Sequence, residues 1–351
     1  MLMFLSKFCQ KLKWKSRRIF FPNQPLITWT IFILLVLTVV SLNSCSRSPR
    51  GDSAPLKIGV LIMGDSRTAK FEGLRQGLSE LGLTESEVKY TLFNAHDDEK
   101  KLETCAQELI GQKPDILVAA GGIEAEVLAR NLKGRPIVPV VLIGVTSAKN
   151  LQALFIDQGI PVTGVDNGHI ELTGKRMELL RLLFPKRTKL LLVYDPRLSA
   201  SNLALQEAQE VVRAYSYTTE SIPVSVEKDL LQLKKRSFSP QEALLILPSY
   251  YLESIFREIR TLSLRERIPV MGLYDTEVEA GYTASYGIPY WDQGYQAARL
   301  VMRMAQEKRS IPFEMPDSVY LKLNMKAVEQ IGENVSPAGL NFGEKIYTIR
   351  E

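Results

Sequence analysis

The sequence predicts an α/β protein of two like lobes, each a parallel sheet flanked by helices. Short apolar runs alternate with stretches of helical periodicity from Leu56 onward, which is the pattern of βα units. Three strand-loop-helix units then recur in the same order. Lys57 to Ile62 is echoed by Lys189 to Tyr194, Ile116 to Gly122 by Leu244 to Ser249, and Pro139 to Gly144 by Pro269 to Tyr274, at offsets of 132, 128 and 130 residues. Near-constant spacing argues for two lobes of like topology rather than one large sheet. The length of 351 residues agrees, since a domain usually takes roughly 150 residues.

Composition bounds the function. Hydrophobic residues make up 45% and charged residues 24%, a globular balance that excludes collagenous, low-complexity and polytopic-membrane chains. The net charge of +5 is misleading, because all six charges in the first 44 residues are positive (Lys7, Lys11, Lys13, Lys15, Arg17, Arg18). Without those six, 38 basic residues face 39 acidic ones. The folded part is near neutral and gives no support for a nucleic-acid partner.

The elements follow in chain order. A basic stretch from Lys7 to Arg18 precedes the apolar run Leu26 to Leu42, so residues 1–44 read as an export signal or as an uncleaved anchor. Leu42-Asn43-Ser44-Cys45 resembles the lipobox of bacterial lipoproteins, with Asn43 departing from the usual small residue. Lipidation of Cys45, retention of the anchor and ordinary cleavage all place the folded part outside the cytoplasmic membrane. Residues 45–55, rich in Ser, Pro and Gly, read as a flexible tether. Processing leaves Cys45 and Cys105, hence no internal disulfide, and the helical spacing of Leu102, Cys105, Leu109 and Ile110 makes Cys105 a buried apolar residue.

Ile58 to Met63 reads as the first strand, and Phe71, Leu74, Leu78 and Leu81 as the face of the helix after it. In open parallel sheets ligands bind beyond the carboxyl ends of the strands. The loops at those ends are therefore the working surface: Gly64-Asp65-Ser66, Gly121-Gly122 and Gly144 to Ser147 in the first lobe, then Tyr194 to Ser199, Pro248 to Tyr250 and Leu273 to Thr276 in the second. Each leads toward a helix N-terminus, whose free N–H groups suit a carboxylate.

Thr163-Gly-Val-Asp166, the helix Glu171 to Phe184 closed by Pro185, Leu190-Leu-Leu-Val-Tyr-Asp-Pro196, Ala284-Ser-Tyr-Gly-Ile-Pro-Tyr290 with Gly294-Tyr-Gln-Ala-Ala298, and Pro316 with Leu321-Lys-Leu-Asn324-Met-Lys-Ala327 together resemble the substrate-binding lipoproteins of ABC importers, of the tryptophan-type family. The resemblance runs from Leu56 to about Gly339. It implies the type I periplasmic-binding-protein fold: two doubly wound parallel-sheet lobes joined by a three-crossover hinge near Gly164, Ser285 and Pro316. Lobe 1 would then be residues 56–163 plus 286–315, and lobe 2 residues 164–285 plus 316–351. It further implies a small polar or amino-acid-like ligand held between the lobes, ABC permease subunits as partners, and neither a cofactor nor a metal. Family members carry Thr or Ser where this chain has Gly121-Gly122.

For such a ligand, the carboxylate would fall to Ser66 with Asp65 beside it, to the backbone N–H groups of Gly121 and Gly122, and to Thr146 and Ser147. A cationic group would fall to Asp195, Asp275 or Asp166, and Tyr194, Tyr250 and Tyr274 would flank the remainder, with Ser199 and Ser249 on the same loops. The alternative for these Asp residues is helix capping. Tyr251, Tyr286, Tyr290 and Trp291 join the aromatic cluster, and packing of the lobe interface competes with ligand stacking there. A hydrolase reading rests on Gly64-Asp65-Ser66, as in GDS-type esterases, with Asp166 and His169 at Asp-x-x-His spacing; no Gly-x-Asn-Asp block accompanies them. A sensor ectodomain with the same cleft is the other alternative. Two histidines, His96 and His169, and no spaced cysteine pair argue against a zinc site, and Asp97 or Asp98 reads as the cap of the helix from Lys100. Lys234-Lys235-Arg236, Arg299 and Arg303 read as solvated surface.

Overall fold

Strand β1 (Leu56–Ile62) is buried from Ile58 onward because its neighbours cover it on both edges and both faces. The structure is a computed structural model and describes residues 54–350. The expected export signal, lipidation site and most of the tether lie outside the described residues. After β1, a 3-10 turn (Asp65–Arg67) feeds α1 (Thr68–Glu80). Then come β2 (Val88–Asn94), α2 (Glu99–Gly111), β3 (Ile116–Ala119), α3 (Gly122–Leu132), β4 (Val140–Val145), α4 (Ala148–Ile156) and β5 (Val162–Asp166). The five strands form one parallel sheet in the order β2-β1-β3-β4-β5, and its central strands are apolar apart from Lys57 at the open end of β1, as a sheet covered on both faces requires.

The second half runs through α5 (Thr173–Leu183), β6 (Lys189–Tyr194), α6 (Ser199–Val211), β7 (Thr218–Pro223), α7 (Glu227–Lys235), β8 (Glu242–Ile246), α8 (Tyr250–Ser254), α9 (Phe256–Glu266), β9 (Val270–Gly272), α10 (Asp275–Glu279) and β10 (Ala284–Gly287). It ends with α11 (Tyr290–Glu307), β11 (Tyr320–Asn324), α12 (Met325–Gln330) and β12 (Glu344–Ile346). Its sheet has the order β12-β11-β10-β9-β8-β6-β7. Only the β10–β11 pair is antiparallel among the described strands, because β11 is reached from the other lobe.

Each sheet is sandwiched. On the first, α2, α3 and α4 bury Leu102, Leu109, Leu128 and Phe155 on one face, while α1 and α11 bury Leu74, Leu78, Leu300 and Val301 on the other. Cys105 is buried with the first group. On the second, α5 and α6 supply Leu180 and Ala204 on one side, and α7 and α9 supply Leu230 and Ile259 on the other. α11 therefore belongs by packing to the first sheet although it follows the second in sequence. It docks so closely on α1 that a Cβ on Gly73 would lie 2.0 Å from Trp291 O, and one on Gly294 1.8 Å from Lys70 O.

The chain passes between the sheets after β5, after β10 and again between α11 and β11, where Glu314 bridges to Val165. β5 stays in the first sheet through Asp166 and β10 in the second through Gly287, so both passages fall a few residues beyond those expected at Gly164 and Ser285. Gly164 is a mid-strand packing position, its absent Cβ leaving room for Leu142 O at 2.2 Å.

Candidate functional site

The carboxyl ends of both sheets open on one cleft. Its walls come from the loops after β1, β3, β4 and β5 on one side and after β6, β8 and β9 on the other. The cavity at its floor, about 120 Å³, is roughly ten times what a single water needs.

A buried charge cluster forms the lobe 1 wall. Arg67, only 6% exposed, leaves the 3-10 turn and points under Gly121. Its Nη1 donates to Glu124 Oε2 at 2.6 Å, and across the cleft its Nη2 and Nε donate to the two oxygens of Glu253 at 2.6 and 3.1 Å. Glu124, in the first turn of α3, also accepts the Met63 N–H at 2.8 Å. Glu253 accepts from Ser66 Oγ and from Tyr290 Oη as well. Burial opposes the charge on Arg67, but Glu124 and Glu253 more than offset it and raise its pKa further. For Glu253, burial acts upward and Arg67 prevails, so its carboxyl lies below the usual value.

The glycine pair after β3 is explained by this cluster. A Cβ on Gly121 would sit 2.2 Å from Arg67 Nη1 and 2.7 Å from Glu124 Oε2, whereas one on Gly122 would meet only Leu151 at 3.8 Å. Gly121 makes room for the guanidinium, and Gly122 opens α3 without a side-chain cap.

Lys70, one turn into α1, is 2% exposed and lines the same wall. Its Nζ donates to Ala120 O at 2.7 Å and Ile143 O at 3.3 Å and lies 4.8 Å from the centre of the Tyr290 ring. Burial, then the nearby Arg67, lowers its pKa to about 7.

The crossover side is aromatic. Tyr274 and Tyr290 are buried with ring centres 4.4 Å apart, and His169 meets Tyr274 edge-on at 5.0 Å. Behind them Arg176, fully buried, donates to His169 O at 2.9 Å and to Tyr286 O at 2.8 Å, tying the first two crossovers together; its Nη2 lies 2.8 Å from His169 Nδ1. Burial and then Arg176 keep His169 neutral, far below its ordinary value. Glu277 caps the Leu273 and Tyr274 N–H groups, and burial pushes its pKa up to about 7.

Of the residues singled out from sequence, Gly121, Gly122, Thr146, Ser147, Ser199, Ser249, Tyr250 and Tyr274 line the cavity. Thr146 Oγ1 is turned to Asn167 Oδ1 at 3.1 Å, and Ser147 holds a left-handed backbone at the start of α4. Ser249 caps α8 and donates to Asp195 at 3.3 Å, and Tyr250 Oη reaches across to Glu99 at 2.9 Å. Asp65 and Ser66 do not line it: Asp65 is exposed and holds Asn94 and His96, and Ser66 is spent on Glu253. Tyr194 packs into the lobe 2 core.

Of the three carboxylates expected to meet a cation, Asp166 and Asp195 have other partners and Asp275 lies away from the cavity. Asp166 accepts the N–H groups of Ala148 and Gly168 at 2.8 and 2.9 Å, so it caps α4 from a distance. Asp195 is fully buried and folded back on Arg197 through the Arg197 backbone N–H and guanidinium. Asp275 lies outside the cavity lining, with its Oδ1 buried and burial raising its pKa. Ser66, Asp166 and His169 are thus each engaged elsewhere rather than joined as a nucleophile, acid and base. Among the described residues no group of three or more His, Cys, Asp or Glu side chains is placed to hold a metal. Asp98 caps α2, as read from sequence. Arg236 and Arg299, expected as solvated, pair with Glu220 and Glu242 and with Glu314 and Asp317 respectively.

Arg67, Lys70, Glu124, Glu253, Asn150, Asn167 and Leu198 in the site were not singled out from sequence. A basic residue beside a Gly-Gly loop has no local signature of burial, because its partners lie 57 and 186 positions away.

The family model described as ABC transporter substrate binding protein matches residues 56–338. The chain belongs to that family. Its members are extracytoplasmic solute-binding proteins, which is the function assigned here in place of the hydrolase alternative. A tyrosine-binding protein of Clostridioides difficile (strain R20291) is 21% identical over 288 residues, spanning 80% of this chain and 83% of that one. Among solved structures, an ABC domain in complex with L-Trp from Streptococcus pneumoniae aligns with a TM-score of 0.70 at 18% identity, over 83% of this chain and 99% of the other. A conserved domain protein of Vibrio cholerae aligns with the same TM-score at 21% identity, again over 83% and 99%. At these identities the solved structures establish the fold: two parallel-sheet lobes of the type I periplasmic-binding-protein kind. Among the described residues no helix is long and apolar enough to cross a membrane.

Proposed function

We propose that this substrate-binding protein captures an aromatic amino acid, or a close amino-acid-like solute, in the inter-lobe cleft and presents it to the permease subunits of an importer. One observation carries the reading. Helices α3 and α6, from opposite lobes, both begin at the cavity without a side-chain cap, at Gly122 and Ser199. Their free N–H groups and positive dipole ends favour a carboxylate between them. Tyr274 on the cavity lining, backed by Tyr290, offers an aromatic surface beside it. Glu126, on the cavity lining and raised in pKa by burial, serves the ammonium group. The tyrosine- and tryptophan-binding relatives support that ligand class. Capture works by hinge closure at the three crossovers, with lobe 1 taken as residues 56–163 plus 286–315 and lobe 2 as 164–285 plus 316–351, adjusted to the strand ends.

Calorimetry on the intact protein in detergent tests this. L-tryptophan or L-tyrosine is expected to bind and L-alanine to bind at least tenfold more weakly. Absence of heat with every proteinogenic amino acid would sink the ligand class.

For the membrane we propose that Cys45 is lipidated after removal of residues 1–44, on the strength of Leu42 to Cys45. Cys45→Ala is expected to abolish acyl labelling and leave a larger precursor. A wild-type protein that carries no lipid and retains residues 26–42 shows an uncleaved anchor instead.

A further inference from the structure

Lys70 is a buried cation with an unfilled place. An ammonium carries three donors, and two of them go to the carbonyls of Ala120 and Ile143 at the ends of β3 and β4. No carboxylate is among its hydrogen-bond partners. Glu124 and Glu253, the acidic groups that face it, are both held by Arg67 at 2.6 Å. Burying a charge without a contacting counter-ion is unfavourable, and here the charge borders a cavity whose helix ends also attract an anion. Arg67, the other cation of the wall, already has its charge balanced by two contacting carboxylates.

We propose that Lys70 is the specificity-determining residue of the cleft: its third donor meets the carboxylate of the bound solute, so that acids are selected over the corresponding amides and amines. This deepens the amino-acid reading and rests on the cleft being the solute site. The charged and titratable groups around Lys70 are Arg67 from the 3-10 turn, Glu124 from α3, Glu253 from α8, His169 from the first crossover and Tyr290 from α11. His169 is neutral and both carboxylates are committed, so the solute supplies the missing negative charge. With its pKa near 7 when the cleft is empty, Lys70 is largely neutral at pH 8.5. A docking carboxylate favours the charged form, so binding takes up a proton there. Affinity for the acid is highest below pH 7 and falls, by up to tenfold per pH unit, as pH rises between the pKa of the empty and of the occupied cleft.

Calorimetry decides it, on the intact protein at pH 6.5 and 8.5 in buffers of different ionisation enthalpy. The probes are L-tryptophan and L-tyrosine, their carboxamides, and the matching arylpropionates, which lack the amine. Wild type is expected to bind acids at least tenfold tighter than amides and to take up close to one proton at pH 8.5. Folded Lys70→Met should lose both properties, and Lys70→Arg should keep the preference for acids while losing the proton uptake. Should Lys70→Met not fold, the acid-to-amide ratio and proton count of the wild type decide alone. Equal binding of acids and amides overturns the role of Lys70 and leaves the amino-acid reading standing. Lys70-dependent binding of arylpropionates with silence from the amino acids does the reverse. A folded Lys70→Met that still prefers acids tenfold, or a wild type that binds no carboxylate, overturns the inference.

Discussion

The two lobes repeat one topology but furnish the ends of equivalent strands in opposite ways. After β1, lobe 1 places Arg67 and Lys70, both buried, at the cleft; after β6, lobe 2 places Asp195, and closes it with its own Arg197. After β3, Gly121 leaves α3 uncapped; after β8, Ser249 caps α8 with its side chain. Lobe 2 satisfies Asp195 and the start of α8 internally and sends Glu253 and Tyr250 across to lobe 1. A shared fold thus fixes where the loops are, while the loop residues decide which lobe keeps unsatisfied charge for a guest. On the proposed reading, lobe 1 supplies the buried cation for the anion and each lobe a helix end.

The contrast can be broken most forcefully at Glu124. Its side chain is fully buried and that of its partner Arg67 nearly so, whereas the lobe 2 pair couples a buried Asp195 to an Arg197 side chain that is 43% exposed. Removing the Glu124 charge leaves Arg67 with Glu253 alone and takes a charged acceptor from both the guanidinium and the Met63 N–H. Glu124→Gln is therefore expected to cost about 3 kcal/mol in urea unfolding, and Arg197→Ala about 1 kcal/mol, since Asp195 keeps the backbone N–H of residue 197 and Ser249 Oγ, and loss of the half-exposed Arg197 side chain lets water reach it. Equal losses would mean that the lobes do not differ in this respect.

A smaller effect sharpens the same point within one loop. Gly121→Ala drives a methyl onto the Arg67 guanidinium and is expected to cost about 2 kcal/mol and to weaken solute binding. Gly122→Ala meets only Leu151 at ordinary contact distance and should stay within about 0.5 kcal/mol of wild type. Thermal melts of the two variants side by side decide it; indistinguishable curves would remove Gly121's role as the space for Arg67.

The alternation of strands and helices was legible because the central strands are covered on both faces and so write themselves as apolar runs, as in Ile116–Ala119 and Glu242–Ile246, where even Glu242 is buried. The loops at the working ends were legible for the same reason. The chemistry in them was not. Asp166 looks like a ligand in sequence, yet its partners are the N–H groups of Ala148 and Gly168, the first 18 positions earlier. Lys70 and Arg67 look like the polar face of a helix start, because local periodicity cannot show that α11 and α8 will cover them. Arg176 lies within the expected helix Glu171 to Phe184, but its task depends on carbonyls of residues 7 and 110 positions away.

The packing of α11 on the first sheet has a consequence for the order in which the molecule assembles. All five strands of that sheet are complete by Asp166, but the face carrying Ile58, Val60, Val118 and Val141 waits for Ala297, Leu300, Val301 and Met304. The whole run from β6 to β10 must be synthesised before those residues exist. The lobe begun first therefore stays unfinished, with apolar surface bare, while nearly all of the second is made, and such surface is what chaperones bind and what aggregates. Joining Tyr290–Glu307 directly to the first lobe by circular permutation would let that lobe close early, so connectivity rather than stability sets how long this chain remains open.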